Sequence, residues 1–122
     1  MNMSENIDVK PSKIKTRSVT IADDATASSA FRLNGPIVGI SYPSATYTAA
    51  TLTLTVSPTK DGTYHNVGIS YGGTAAPSIA IVDGAATYHP CEPALTAGAR
   101  WCKLNINADN NADITFTVYE AK

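Results

Sequence analysis

Residues 51–69 read TLTLTVSPTKDGTYHNVGI, and this stretch decides the fold class. Leu52, Leu54 and Val56 alternate with Thr51, Thr53 and Thr55. A strict period of two, with β-branched residues on the polar side, is the pattern of a half-buried antiparallel strand. Pro58 has no N–H to give a ladder, so the strand ends near it. Asp61 and Gly62 are residue types that tolerate left-handed backbone in a tight turn. A loop over residues 59–62 sets Val56 opposite His65, Leu54 opposite Val67 and Leu52 opposite Ile69. Apart from His65 that face is apolar, and a slip of one residue would put Tyr64 and Asn66 on it instead.

The same alternation runs outward in both directions. Val19 and Ile21 begin a first strand that Asp23-Asp24 turns, and Phe31 and Leu33 share one face of a second. Asn34-Gly35-Pro36 punctuates, then Val38, Ile40 and Tyr42 continue with period two until Pro43. Beyond the hairpin, Tyr71-Gly72-Gly73 and Pro77 mark a connection. Ile79 and Ile81 lead into Asp83-Gly84, a two-residue hairpin signal, with a return through Thr87 and Tyr88 to Pro90. Residues 93–98 read as a loop. Cys102, Leu104 and Ile106 then alternate on one side, as do Ile114, Phe116 and Val118. A hairpin centred on Asn110 pairs Leu104 with Phe116, Ile106 with Ile114 and Cys102 with Val118. The same register sets Trp101 beside Tyr119 on the solvent side. No segment longer than about ten residues has a helical period. Turn signals roughly every ten residues and about eight strands predict an all-β antiparallel sandwich or jelly roll.

The chain has 122 residues, which fits one domain. Charged residues are only 16% and the net charge is −1, so no global field points to nucleic acid. Thr, Ser and Asn take the place of charge, a surface suited to lying against other proteins. No apolar stretch approaches the ~20 residues of a membrane span, and the N-terminus has no apolar signal region. The expected site of synthesis is the cytoplasm, where Cys91 and Cys102 stay reduced.

Residues 1–17 differ from the rest. They are polar and carry Lys10, Lys13, Lys15 and Arg17 against Glu5 and Asp8. Ile14 is out of phase with Val19 and Ile21. The expected division is an extended arm over 1–17 and a sandwich over 18–122, with the arm either a frayed terminus or a segment that orders on a neighbour.

The order of pieces resembles a pattern in small virion proteins of tailed bacteriophages. The matching stretches are Val38-Gly39-Ile40-Ser41-Tyr42-Pro43, residues 52–67 around Asp61-Gly62, and Arg100-Trp101-Cys102-Lys103-Leu104. The resemblance covers roughly residues 18–120. Tyr42 stands where that pattern usually has Met, and the glycines between Gly68 and Gly73 are extra. The resemblance implies a β-sandwich, often a jelly roll, that decorates or cements a capsid, commonly as a trimer, without catalysis. It implies the major capsid protein as partner and the capsid exterior as location. Arm length and binding site vary within such proteins and do not carry over.

Other chemistry has weaker support in the residues. His65, His89, Cys91 and Cys102 match no standard zinc spacing, and small buried thiols are the simpler reading. A Cys91–Cys102 disulfide stays open should the protein meet oxidising surroundings. Asn107, Asp109, Asn111 and Asp113 alternate like the start of a calcium loop, but Ala112 replaces the required Gly and Val118 the bidentate Glu. A loop stitched by Asx hydrogen bonds fits better. No serine lies in a nucleophile-elbow motif, and Asp23-Asp24 are adjacent in a turn rather than opposed across a cleft. The expectation is a protein that is not an enzyme and needs no cofactor. Lys10, Lys13, Ile14, Lys15, Arg17, Trp101 and Tyr119 are the candidate protein contacts. The rival readings are a carbohydrate-binding or host-adhesion module using Trp101 and Tyr119, and a tail or baseplate sandwich domain.

Overall fold

A computed structural model describes residues 14–49, 51–67, 79–91, 93 and 96–121. Nine strands fill them: β1 (Ile14–Ile21), β2 (Phe31–Arg32), β3 (Ile37–Tyr42), β4 (Thr51–Ser57), β5 (His65–Asn66), β6 (Ile79–Ala80), β7 (Thr87–Pro90), β8 (Trp101–Ile106) and β9 (Ile114–Ala121). They form two antiparallel sheets. One has the order β1-β9-β3-β7; the other has the order β2-β8-β4-β5, with β6 also pairing β4. The chain is an all-β sandwich wound in jelly-roll order: most chain neighbours sit in opposite sheets, and only β4, β5 and β6 follow one another within one.

The opening hairpin has the expected register. Val56 lies opposite His65, and the Val67 amide donates to the Leu54 carbonyl at 3.2 Å; Ile69 lies outside the described residues. Ser57 caps the turn, its hydroxyl donating to the Thr59 carbonyl and accepting from the Thr59 amide. Gly62 is required there for space, not for a left-handed backbone: an added Cβ would overlap the Thr59 hydroxyl. Left-handed backbone occurs instead at Asp24, Asn111, Gly84 and Gly98.

The other two expected hairpins are arches between the sheets. β8 pairs β2 and β4, while β9 pairs β1 and β3, so Leu104 lies opposite Leu54 and Phe116 opposite Val19. Leu104, Phe116, Ile106, Ile114, Cys102 and Val118 all reach the one core cluster, from opposite layers rather than side by side. Likewise β6 joins β4 and β7 joins β3, so the Asp83-Gly84 turn crosses between sheets. Period two gives the inward face of a strand and is silent about its partner: two greasy faces meet equally well within a sheet or across a sandwich.

Two smaller differences have local causes. A register shift between Ile37 and Gly39 puts Ile37 in the core and leaves Val38 half-exposed, reversing the expected phase at that point. β1 also starts before the expected boundary at Ser18: the ladder to β9 already holds Ile14 opposite Ala121 and Arg17 opposite Val118. Ile14 is 41% exposed, so its broken phase marks an outward residue of a continuous strand. Residues 1–13 lie outside the described residues.

Candidate functional site

The strand directions give the sandwich two unlike ends. At one end the loops over 22–24, 43–49, 83–84 and 107–113 meet. The Asp113 carboxylate accepts the Asp23 amide at 2.8 Å, and Asp109 accepts the amides of Asp24 and Asn111, each at 3.0 Å. Buried Asn110 takes the amides of Thr48 and Ala49, Asn107 takes Thr51, and Asp83 takes Tyr47. These side chains are the acceptors for backbone that the ladders leave unpaired. The Asx reading of 107–113 thus has its geometry, with donors supplied largely by distant segments.

Asp23, Asp24 and Asp109 have carboxylate oxygens within 4.8 Å of one another, the described group whose spacing could hold a cation. Asp109 is partly committed to backbone donors. The Asp24 carboxyl is pushed up from its ordinary range, first by the charge of Asp23 and then by that of Asp109.

At the opposite end lie the start of β1, the end of β9, the turn after β4 and the segment before β8. Glu120 is fully buried there. Its carboxylate accepts from Arg17 Nε at 2.5 Å and Nη2 at 3.2 Å, and from the Asn34 amide at 2.7 Å. The Arg17 guanidinium also lies over the Phe31 ring, 5.2 Å from its centre. Parity carries the signal for this pair: Arg17 continues the inward phase of Val19 and Ile21, and Glu120 that of Phe116 and Val118. Two opposite charges at inward positions of neighbouring strands bond to each other, because neither is tolerated there alone.

Trp101 and Tyr119 do not form a pair. Trp101 lies opposite Arg32 and Ser57 on the outer face of one sheet; Tyr119 lies opposite Thr16 and Gly39 on the outer face of the other. Both are half-buried. Their expected adjacency required the β8–β9 hairpin that the jelly-roll winding replaces. Tyr119 instead meets Tyr88 edge to face, ring centres 5.1 Å apart, and shares a hydrogen bond with the Ser41 hydroxyl at 3.1 Å. Tyr88 lies over Gly39, where an added Cβ would overlap its phenol. The rest of that face is hydroxyl-rich, with Thr16, Ser18, Thr20, Thr115 and Thr117 at outward positions.

The Trp101 face has another character. Lys60 Nζ lies 6.0 Å from the centre of the Trp101 ring, and Lys103 Nζ lies 4.5 Å from that of Tyr64. Such contacts contribute about 0.5–1 kcal/mol at exposed sites and hold the ammonium groups on the sheet surface. Arg32 is exposed beside Trp101. A pocket of about 260 Å³ opens at the same end, lined by Val56, Ser57, Pro58, His65, Gly98, Ala99 and Arg100. Sequence reading missed Lys60, Tyr64, Arg100 and Lys103, because their grouping depends on which strands are neighbours.

Of the other expected contacts, Lys15 is exposed on β1, Arg17 is engaged with Glu120 in its own domain, and Lys10 and Lys13 lie outside the described residues. Cys91 and Cys102 are free thiols, the first half-buried and the second buried. Burial pushes the Cys102 thiol up to about 12, with the nearby Glu120 charge adding to the shift. A thiol held this far above neutrality is a packing residue and not a nucleophile.

Comparison with family models, with curated proteins and with solved structures found no match.

Proposed function

We propose that this chain is a structural virion protein that binds and reinforces a phage capsid, a decoration or cement protein acting by binding alone. The observation that carries the reading is the grouping of side chains at one end of the sandwich. The N-terminal strand enters there, Trp101, Lys60, Tyr64, Arg32 and Lys103 gather on the outer face of one sheet, and the pocket beside Arg100 opens at the same end. The three stretches that resemble small virion proteins support it by falling on β3, on β4 with β5, and at the start of β8. In this reading the partner is the major capsid protein, the protein acts as a homo-oligomer, a trimer by resemblance, and it sits on the capsid exterior. Reinforcement then follows from mass action, since a ligand of the assembled lattice stabilises it over free subunits.

One observation favours the carbohydrate reading. Tyr88 is 51% exposed beside Tyr119 amid hydroxyl side chains. The two rings are nearly perpendicular, 82° apart, which leaves one ring and not a flat platform for a sugar to stack on.

Co-sedimentation with undecorated tailed-phage capsids separates the two. The capsid reading expects saturable binding that falls when residues 1–13 are deleted, with the melting temperature retained. Absence of capsid binding together with glycan-array binding abolished by Tyr88→Ala would replace it with the carbohydrate reading.

A further inference from the structure

We propose that the cationic end of the sandwich docks end-on against a carboxylate-rich protein surface, with the acidic end held away from it. This names the chemistry of the partner face and rests on the capsid-binding reading for where that face is found. Among the described residues every lysine and arginine lies toward one end: Lys15, Arg17, Arg32, Lys60, Arg100 and Lys103. Among the described residues the carboxylates there are Asp61 and Glu120, and Glu120 is buried against Arg17. Asp23, Asp24, Asp83, Asp109 and Asp113 lie at the other end. A net charge of −1 conceals this separation. A body charged oppositely at its ends is turned as it approaches a charged surface, so the arrangement selects an orientation as well as a partner.

Three features make the cationic end a docking surface rather than a solvated rim. Among the described residues only Arg17 of these cations is in a salt bridge, so the rest keep their charge for a partner. Lys60 and Lys103 are held over aromatic rings, which fixes their ammonium groups without neutralising them. The pocket between Pro58 and Arg100 has Val56 and Ala99 in its lining and His65 at its side, the size and chemistry to take one apolar side chain flanked by a carboxylate. An acidic polypeptide fits better than nucleic acid. The Trp101 and Tyr64 rings already carry the chain's own lysines, so they are not free for base stacking. A long polyanion following the body would also meet the carboxylates of the far end.

The probe is a blocked synthetic peptide, Glu-Glu-Leu-Glu-Glu, titrated into the full chain at low salt and followed by amide chemical shifts. Shifts are expected at Tyr64, His65, Arg100 and Trp101, not at Asp23 or Asp109, and are expected to fade as salt is raised. The triple variant Lys60→Glu, Arg100→Glu, Lys103→Glu, checked for fold by circular dichroism, is expected to weaken binding by about tenfold or more. Asp23→Lys, which changes charge at the far end, is expected to leave it intact. The proposal is overturned if the peptide does not bind, if shifts appear equally at both ends, or if the triple variant binds as well as the parent. Tighter binding of a heparin or DNA fragment of equal charge would overturn the choice of partner. Capsid co-sedimentation untouched by the triple variant would sink this inference and leave the capsid reading standing; peptide binding without capsid binding would do the reverse.

Discussion

The two ends of the sandwich solve the same problem in different ways. Both must terminate strands and close a core. The acidic end does so with side-chain oxygens: Asp83, Asn107, Asp109, Asn110 and Asp113 accept backbone amides from the 22–24 and 43–49 loops and from the start of β4. The cationic end has fewer such bonds: buried Glu120 ties β1 to the segment after β2, Thr96 accepts the Ile37 amide, and Ser57 caps the turn after β4. At the acidic end charge is spent on structure and many bonds share the load. At the cationic end one ion pair uses the charge of Arg17, and the other described cations are in no salt bridge. That difference is why the cationic end is the better candidate for recognition.

Removal of Glu120 is expected to have the largest effect on stability. Glu120→Ala leaves Arg17 without its partner and the Asn34 amide without its acceptor, and is expected to cost about 3–5 kcal/mol in chemical denaturation. Replacing both partners by apolar residues, Arg17→Met with Glu120→Leu, is expected to recover most of that loss, because an apolar pair avoids the desolvation cost. A small loss in the single variant would mean that the cationic end is not fastened there. At the acidic end the load is distributed, so Asn110→Ala is expected to cost only about 1–3 kcal/mol, through the unpaired amides of Thr48 and Ala49.

Much of this was legible in the sequence, and what was not has one cause. The inward faces of β1, β4, β8 and β9 follow from period two at Val19, Leu52, Leu54, Leu104 and Phe116, all in the core. The register of the β4–β5 hairpin follows because its turn is short and carries Asp61-Gly62. Partner choice does not follow. A seven-residue connection such as 107–113 spans equally well to the next strand or across to the other sheet, and the deciding bonds, Asp113 to Asp23 and Asn110 to Thr48, join segments far apart in sequence. Losing the β8–β9 pairing dissolved the Trp101–Tyr119 site and hid the one around Lys60, Tyr64 and Arg100. The Arg17–Glu120 pair was within reach, because both residues continue an inward phase.

Charge repulsion sharpens the acidic end further. A carboxyl whose folded pKa is raised, as at Asp24, opposes folding while ionised and ceases to once protonated. Stability from this group therefore rises as the pH falls from its raised folded value toward the ordinary carboxylate value, and is lost again as the pH rises back through the folded value. Asp24→Asn keeps a residue that tolerates the left-handed backbone and is expected to raise the melting temperature slightly at pH 7, with the gain vanishing in acid. A gain that persists in acid would assign the effect to backbone and not to charge.

The smallest effect on stability comes from the thiols, which report opening without changing the fold. Half-buried Cys91, near the cationic end, is expected to react with a thiol reagent faster than Cys102 does. The Cys102 rate is expected to track global unfolding, since its thiol is buried and held near 12. Equal rates would mean that the core of the cationic end opens locally.

The most direct test of the proposed capsid binding is an averaged electron-microscopy map of tailed-phage particles carrying the protein. The expected map shows the sandwich over a junction of capsid subunits. The turn at Lys60, the segment at Arg100 and the start of β1 should face the shell, with the loops bearing Asp23 and Asp109 pointing outward. A sandwich found in the tail, absent from the particle, or seated with its acidic end against the shell would contradict it.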